Sequence, residues 1–220
     1  MTVLFSQYWD VMPGKFGDYS NFIMTYYNSA LERIGIKLVG GYYVTVGMGP
    51  RIIAVCVAQN LVDLENALAS SEFDEITGQL QEYVTHYHSK ILTPTGRVKM
   101  DGYKIQTGLW KFNQYWNIVQ GLKERIYTEF IADDFLPSME KIGIKVTAGW
   151  RVVVGSGPSI LAESSAGSLV EIARAIDTDE FRQLMVRLKG TYVKDYHSRI
   201  LAPTGRIDLP YLMKEMMAHF

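Results

Sequence analysis

The sequence has few cysteines, no strong charge imbalance and no long apolar run, so its composition is that of an ordinary globular protein. Its single cysteine, Cys56, excludes an intrachain disulfide and agrees with a reducing compartment. The 22 basic and 23 acidic side chains nearly balance, so charge favours neither a nucleic acid nor an anionic membrane as partner. The longest apolar run, "IIAVCVA", is far too short to cross a bilayer. We therefore expect a cytoplasmic protein that binds neither nucleic acid nor membrane.

The common signatures of nucleophilic, metal and nucleotide sites are also missing. The sequence contains no P-loop, H-E-x-x-H, C-x-x-C or G-x-S-x-G motif. The stretches "GMGP" and "GSGP" contain G-x-G, but they join two predicted strands and open no helix, so they do not predict a dinucleotide site. His86 and His88 would point about 200° apart on a helix. We predict no metal site and no cofactor.

What the sequence does contain is an internal duplication. Three pairs of matching blocks occur in the same order in both halves: "FSQYWDV" and "FNQYWNI", "IGIKLVGGYYVTVGMGP" and "IGIKVTAGWRVVVGSGP", "YHSKILTPTGR" and "YHSRILAPTGR". The offset between paired positions grows only from 107 residues (Phe5 to Phe112) to 109 residues (Tyr87 to Tyr196). The chain is therefore predicted to hold two similar units, at residues 1–104 and 105–220.

Within each unit the hydrophobic period predicts the order β-α-β-β-α. In the first copy, residues 3–11 alternate as a strand, residues 16–34 follow a helical period, and two β-branched runs around "GMGP" predict a hairpin. Residues 73–91 again have apolar side chains at spacings of three and four, which predicts a second helix. A weak fourth strand is predicted at "RVKM" and, in the second copy, at "RIDL". The fold class is thus α+β, a tandem duplication of a ferredoxin-like βαββαβ unit.

A sheet with helices on one face leaves its other face bare, and the second unit can cover it. The aromatic first strand "FSQYWDVMPGKFGDY", the unit size and the duplication resemble the dimeric α+β barrel superfamily, which includes NIPSNAP-like, antibiotic biosynthesis monooxygenase-like and stress-responsive barrel proteins. "YWDVMPGKFGDY" is most similar to the NIPSNAP-like branch. The resemblance implies two antiparallel sheets that face each other as a barrel. The short link between the units favours a barrel within one chain, and such a chain can also form a homodimer.

Side chains on the bare faces of the first strands are candidates for binding a ligand between the sheets. Alternation places Tyr8 and Asp10 on that face in the first copy, with Asn113, Tyr115 and Asn117 in the second. These residues are polar and aromatic, as a pocket for a small molecule requires. Packing of the barrel is the alternative role for both tyrosines.

The second and third strands add a candidate ion pair. Either Tyr42 and Trp150 or Tyr43 and Arg151 point inward, and we favour Tyr43 and Arg151 because an arginine is costly beneath helices. Glu163 interrupts an apolar run, and a buried carboxylate requires a partner. We predict that Arg151 pairs with Glu163, either as an internal salt bridge or as part of a ligand site in one half.

The repeated stretch contains one histidine and one arginine per copy that the end of the predicted helix and the turn after it do not fully explain. As part of the predicted second helix, His88 and His197 lie near its C-terminus, and Arg97 and Arg206 follow the turn. One interpretation is capping and packing. The other places the four side chains at the mouth of a pocket for an anionic or enolisable group, with His88 or His197 as a general base.

Three classes of function remain open from the sequence. The first is a protein that binds a small, partly aromatic or anionic molecule between the sheets. The second is a cofactor-independent enzyme of the oxygenase, isomerase or decarboxylase type with a histidine base. The third is a structural or oligomer-forming protein whose barrel is filled by its own side chains.

Overall fold

The computed structural model describes residues 2–100, 103 and 108–205. The elements of the first repeat are β1 (Val3–Val11), α1 (Phe16–Phe22), α2 (Asn28–Arg33), β2 (Lys37–Val46), β3 (Ile52–Ala58), α3 (Leu61–Leu68), α4 (Ser71–Gln81) and β4 (Val84–Pro94). Those of the second repeat are β5 (Trp110–Ile118), α5 (Glu124–Phe130), α6 (Leu136–Lys141), β6 (Lys145–Val154), β7 (Ile160–Ala166), α7 (Leu169–Ile176), α8 (Asp179–Arg187) and β8 (Val193–Pro203). Single π-helical turns join α1 to α2, α5 to α6 and α8 to β8. No helix in these ranges is both long and apolar enough to cross a membrane.

All eight strands form one closed antiparallel barrel in the order β1-β3-β2-β8-β5-β7-β6-β4. Each repeat supplies four strands, and the two sheets join where β2 pairs with β8 and β4 pairs with β6. The predicted barrel within one chain is confirmed. The predicted unit boundary between residues 104 and 105 falls outside the described residues.

Three hydrophobic clusters follow from this arrangement. One lies between the sheet of the first repeat and its helices, and it includes Trp9, Tyr27 and Cys56. Its counterpart in the second repeat includes Trp116 and Phe135. The third cluster lies inside the barrel and draws on both repeats. The helices therefore cover the outer faces of the sheets, and the faces turned inward pack against each other.

The repeated stretch "YHSKILTP" is a strand, and the predicted second helix is wrong from residue 84 onward. That helix ends with α4 at Gln81, and the fourth strand of the unit begins at Val84. The segment "RVKM", predicted as a strand, is irregular in the structure, and "RIDL" lies outside the described residues. The fourth strand thus precedes its predicted position and carries the repeated histidine.

Candidate functional site

Two stacked pairs of rings, one from each repeat, lie at the same end of the barrel. The Tyr8 and His88 rings are 4.8 Å apart with an interplanar angle of 7°, and the Tyr115 and His197 rings are 4.7 Å apart at 10°. Each pair joins residues that face each other across adjacent strands. β1 and β5 are four antiparallel steps apart in the barrel, so they run in the same direction and place both pairs at one end. Both tyrosines are buried and both histidines are partly exposed, so the histidines lie nearer the opening.

Two cations lie on the same inward face, two residues beyond each histidine. The Lys90 Nζ is 5.7 Å from the centre of the Tyr8 ring, and the Arg199 Cζ is 5.8 Å from that centre and 5.4 Å from the centre of the Tyr115 ring. Both side chains are half-buried. Among the described residues, no carboxylate forms a salt bridge with either of them.

We call the opening formed by these six residues the barrel mouth. Its members are Tyr8, His88, Lys90, Tyr115, His197 and Arg199. Burial, followed by the nearby Arg199 charge, lowers the pKa of Lys90. Burial also lowers the pKa of His197, and the charges of Arg199 and Lys90 add smaller contributions in the same direction. A hydrogen bond to the Asp195 backbone raises this pKa, but the net shift is downward. The mouth is thus a concentrated positive region in which His197 is readily neutral.

The glycine-rich hairpins lie over these cations. A Cβ atom on Gly49, whose φ is +100°, would lie 2.6 Å from Arg199 Nη2, and one on Gly47 would lie 2.9 Å from Arg199 Cγ. In the other half, a Cβ atom on Gly155 would lie 2.9 Å from Lys90 Cγ. Each hairpin therefore crosses onto the opposite repeat, and glycine is required where its backbone approaches the cation.

Asp10 and Asn117, both predicted ligand residues, hold these hairpins at the rim. The Arg51 backbone N–H donates to Asp10 Oδ1 at 2.7 Å, and the Ser159 N–H donates to Asn117 Oδ1 at 2.9 Å. Asp10 also contacts His86, and Asn117 donates to Asp195. His86 and Asp195 have positive φ values of 56° and 55°, at the bulges where β4 and β8 begin. These side chains position the rim because their oxygens are engaged by the backbone.

Glu163 faces the barrel interior as predicted, but its partner is Lys111. Lys111 Nζ is 2.7 Å from Glu163 Oε1 and 2.8 Å from the Tyr103 hydroxyl, and both members of the pair are only 2% exposed. The Tyr103 hydroxyl donates to the same carboxylate at 2.7 Å. Burial lowers the pKa of Lys111, although Glu163 opposes this effect. The pair is therefore part of the barrel interior.

Tyr43 and Arg151 do not face the interior, contrary to the prediction. Tyr42 and Trp150 are fully buried inside the barrel, whereas Tyr43 packs towards the helices and Arg151 is exposed. Bulges early in β2 and β6 shift the pairing with β3 and β7, so alternation counted along a regular strand does not fix these positions. The side chains of Tyr42 and Trp150 occupy space that was predicted to hold a ligand.

Arg97 lies far from His88, so the predicted grouping of these residues is wrong. The Arg97 guanidinium donates to Thr128 Oγ1 at 2.9 Å and to Glu124 Oε1 at 2.8 Å, and it lies 5.1 Å from the centre of the Tyr127 ring. A strand rises about 3.3 Å per residue against 1.5 Å for a helix, so β4 carries the chain away from the mouth. Arg97 therefore joins the first repeat to α5 of the second. Arg206 lies outside the described residues.

Asn113 faces the interior below the mouth, as predicted. Its Nδ2 lies 3.4 Å from the Tyr115 hydroxyl, and its Oδ1 is buried without a hydrogen-bond partner among the described atoms. Sequence reasoning missed Lys90 and Arg199 because the stretch was interpreted as helix. Alternation from His88 along a strand would have placed residues 88, 90 and 92 on one face.

A separate groove of about 440 Å³ lies outside the barrel, between α8 and the β2–β8 seam. Its lining is mainly apolar and includes Phe112, Phe181 and Met185, with Lys189 and Tyr196 at its polar part. None of the predicted site residues lines this groove. It belongs to the helix-covered side of the second repeat.

Known proteins match this chain in fold. No protein-family model and no curated protein matches the sequence. Among solved structures, an anthrone oxidase-like protein has a TM-score of 0.58 and 12% identity, covering 92% of this chain and 91% of the other. A chlorite dismutase variant from Candidatus Nitrospira defluvii has a TM-score of 0.60 and 10% identity, with coverages of 94% and 92%. A haem-binding protein from Thermus thermophilus has a TM-score of 0.58 and 9% identity, with coverages of 97% and 95%.

Identities this low concern the fold alone. The matches extend over nearly the whole length of both chains, so they include both repeats and the way in which the two sheets close. The chain therefore has the dimeric α+β barrel fold, with both halves of the barrel supplied by one polypeptide.

Proposed function

We propose that this protein binds a small organic anion at the barrel mouth. The observation that carries the proposal is the pair of half-buried cations, Lys90 and Arg199, with no carboxylate partner among the described residues. Partial burial of a charge is costly unless an opposite charge or hydrogen bonds compensate for it. A bound anion would supply both.

The rings around the cations favour an anion with a flat apolar part. The stacked pairs Tyr8–His88 and Tyr115–His197 present aromatic surface on two sides of the mouth. A guanidinium can hold a carboxylate through two parallel hydrogen bonds. We therefore propose an aromatic or other planar carboxylate as the ligand class.

The similar structures support a small-molecule ligand in general terms. They include an anthrone oxidase-like protein, a chlorite dismutase and a haem-binding protein, whose names refer to small molecules. Within the superfamily we propose the NIPSNAP-like branch, on the similarity of "YWDVMPGKFGDY".

We also propose that the chain has two units, at residues 1–104 and 105–220, and that it is cytoplasmic. We further propose that it forms a homodimer, and native mass spectrometry would give the subunit count.

The residues at hand do not fit a haem group. In the barrel mouth, Lys90 and Arg199 lie beside the two histidines, and their positive charge disfavours a metal cation there. The outer groove has neither histidine nor cysteine among its described lining residues. Its Tyr196 hydroxyl accepts a hydrogen bond from Gln114 at 2.9 Å, and burial raises the pKa of that hydroxyl.

Isothermal titration with benzoate, salicylate and inorganic phosphate tests the proposal. We expect the wild type to bind an aromatic carboxylate, and Arg199→Gln to weaken binding by about tenfold or more, since a charge-assisted hydrogen bond is lost. Arg125→Gln is the matched control because Arg125 is 79% exposed and pairs with Glu129 on a helix. Equal affinity in Arg199→Gln, or no binding of any of these anions, would overturn the proposal and favour a barrel with a purely structural role.

A further inference from the structure

The duplication places two different cations at equivalent positions of the barrel mouth. Lys90 in "YHSKIL" corresponds to Arg199 in "YHSRIL", and both face inward from the fourth strand of their repeats. A guanidinium stays charged at every physiological pH, whereas a lysine amine can lose its proton and become a nucleophile. The two positions therefore have different chemical capabilities although their surroundings are similar.

The surroundings of Lys90 favour the neutral amine. Its side chain is half-buried against the Tyr8 ring, and Arg199 and His197 lie within its electrostatic reach. No described carboxylate pairs with it to hold the ammonium form. Desolvation beside a second cation is a known way to activate a lysine. Burial and the Arg199 charge accordingly lower the Lys90 pKa.

Lys90 is also open to a ligand, unlike the other inward lysine. The Lys90 side chain is partly exposed, although the hairpin backbone at Gly157 approaches the amine: a Cβ atom there would be 3.3 Å from Lys90 Nζ. Lys111 is only 2% exposed and is paired with Glu163 at 2.7 Å. Of the two, Lys90 alone can meet a molecule that enters from the mouth.

We propose that Lys90 forms an imine with a short oxo acid whose carboxylate is held by Arg199. The inference rests on the proposed anion site and assigns a substrate class to it. The Lys90 nitrogen attacks the carbonyl carbon, and the carbonyl oxygen leaves as water. The amine loses two hydrogens and the carbonyl loses its oxygen, so the products are one imine and one water, and no oxidant or reductant is required.

Reductive trapping tests this inference. The full-length protein is incubated with pyruvate or acetoacetate and sodium cyanoborohydride, which reduces the imine to a stable secondary amine, and the product is located by intact mass measurement and peptide mapping. We expect one adduct per chain, on Lys90, formed at least tenfold faster than adducts on the exposed lysines Lys37 and Lys145. Acetone, which lacks a carboxylate, should label Lys90 more slowly, and benzoate should compete with pyruvate.

Two variants test the roles of the two cations. Lys90→Arg removes the amine that would form the imine and should lose the adduct. Arg199→Gln keeps the amine but should lower both benzoate affinity and the trapping rate. If wild type binds benzoate and Lys90 is labelled no faster than Lys37, the imine inference is wrong and the anion site stands. If wild type neither binds benzoate nor traps an adduct, both proposals are wrong.

Discussion

The buried pair Lys111–Glu163 can be replaced by the residues that the first repeat carries at the same positions. Those residues are Leu4 and Val55, both buried inside the barrel. Glu163→Val alone leaves the Lys111 ammonium buried and uncompensated, and we expect a loss of about 3–5 kcal/mol in the free energy of unfolding. For a chain of this size that is a fall of roughly 6–20 °C in Tm, at about 2–4 °C per kcal/mol.

The double variant Lys111→Leu/Glu163→Val should recover most of this loss. Replacing a buried ion pair with apolar groups of similar volume is often neutral or stabilising, by about 1–4 kcal/mol. The Tyr103 hydroxyl donates to Glu163 and accepts from Lys111, so it would be left unpaired in the double variant. Adding Tyr103→Phe removes that hydroxyl and its penalty of about 1–3 kcal/mol.

Urea denaturation of the four members of this double-mutant cycle measures the coupling directly. Arg151→Ala is the control for the originally predicted partner, and it should change stability by no more than about 0.5 kcal/mol because Arg151 is exposed. Single variants that lose less than about 1 kcal/mol, or a double variant no better than Glu163→Val, would show that the pair is not buried and coupled as described.

Two further predictions concern the barrel mouth. Gly49→Ala places a methyl group against Arg199 and should lower both stability and benzoate affinity. The control is Gly14→Ala, at φ +79° with nothing within 4 Å of the added Cβ atom, which should lower stability alone. Equal benzoate affinity in the two variants would refute the contact between Gly49 and Arg199. Because the pKa of His197 is lowered in the folded state, this histidine takes up a proton in the unfolded state first as pH falls below about 6.5. The free energy of unfolding should therefore decrease as pH falls through this range. Bound benzoate should reduce this decrease because it favours the imidazolium beside Lys90 and Arg199. Thermal melts from pH 7.5 to 5.5 with and without benzoate check this, and an unchanged slope in His197→Gln would assign the effect to another group.

The sequence was sufficient for the architecture because duplication and hydrophobic period act over many residues. It failed at the repeated stretch for a specific reason. Tyr83, Tyr87 and Ile91 are spaced four residues apart. This spacing places side chains on the same face of a helix and also on the same face of a strand, so it does not distinguish the two. Since only two residues separate the end of α4 from the start of β4, no break in the hydrophobic pattern marks the change from helix to strand.

The site was only partly accessible to sequence reasoning. The inward tyrosines Tyr8 and Tyr115 follow from regular alternation along the first strand of each repeat, and the structure places both as predicted. The inward positions of β2 and β6 depend on bulges, which a hydrophobic pattern does not reveal. The partner of Glu163 comes from a neighbouring strand and depends on register, which pattern alone does not fix.

The seam between β2 and β8 has a consequence for synthesis of the chain. Thr45 on β2 donates to the Ile200 carbonyl oxygen on β8, 155 residues later. At roughly 5–20 residues per second, about 8–30 s pass between the emergence of these two strands from a ribosome. During that interval the edge of β2 has no partner from its own barrel and offers unpaired backbone groups to other chains. The nascent protein is therefore exposed to misassembly until β8, the last strand among the described residues, has emerged.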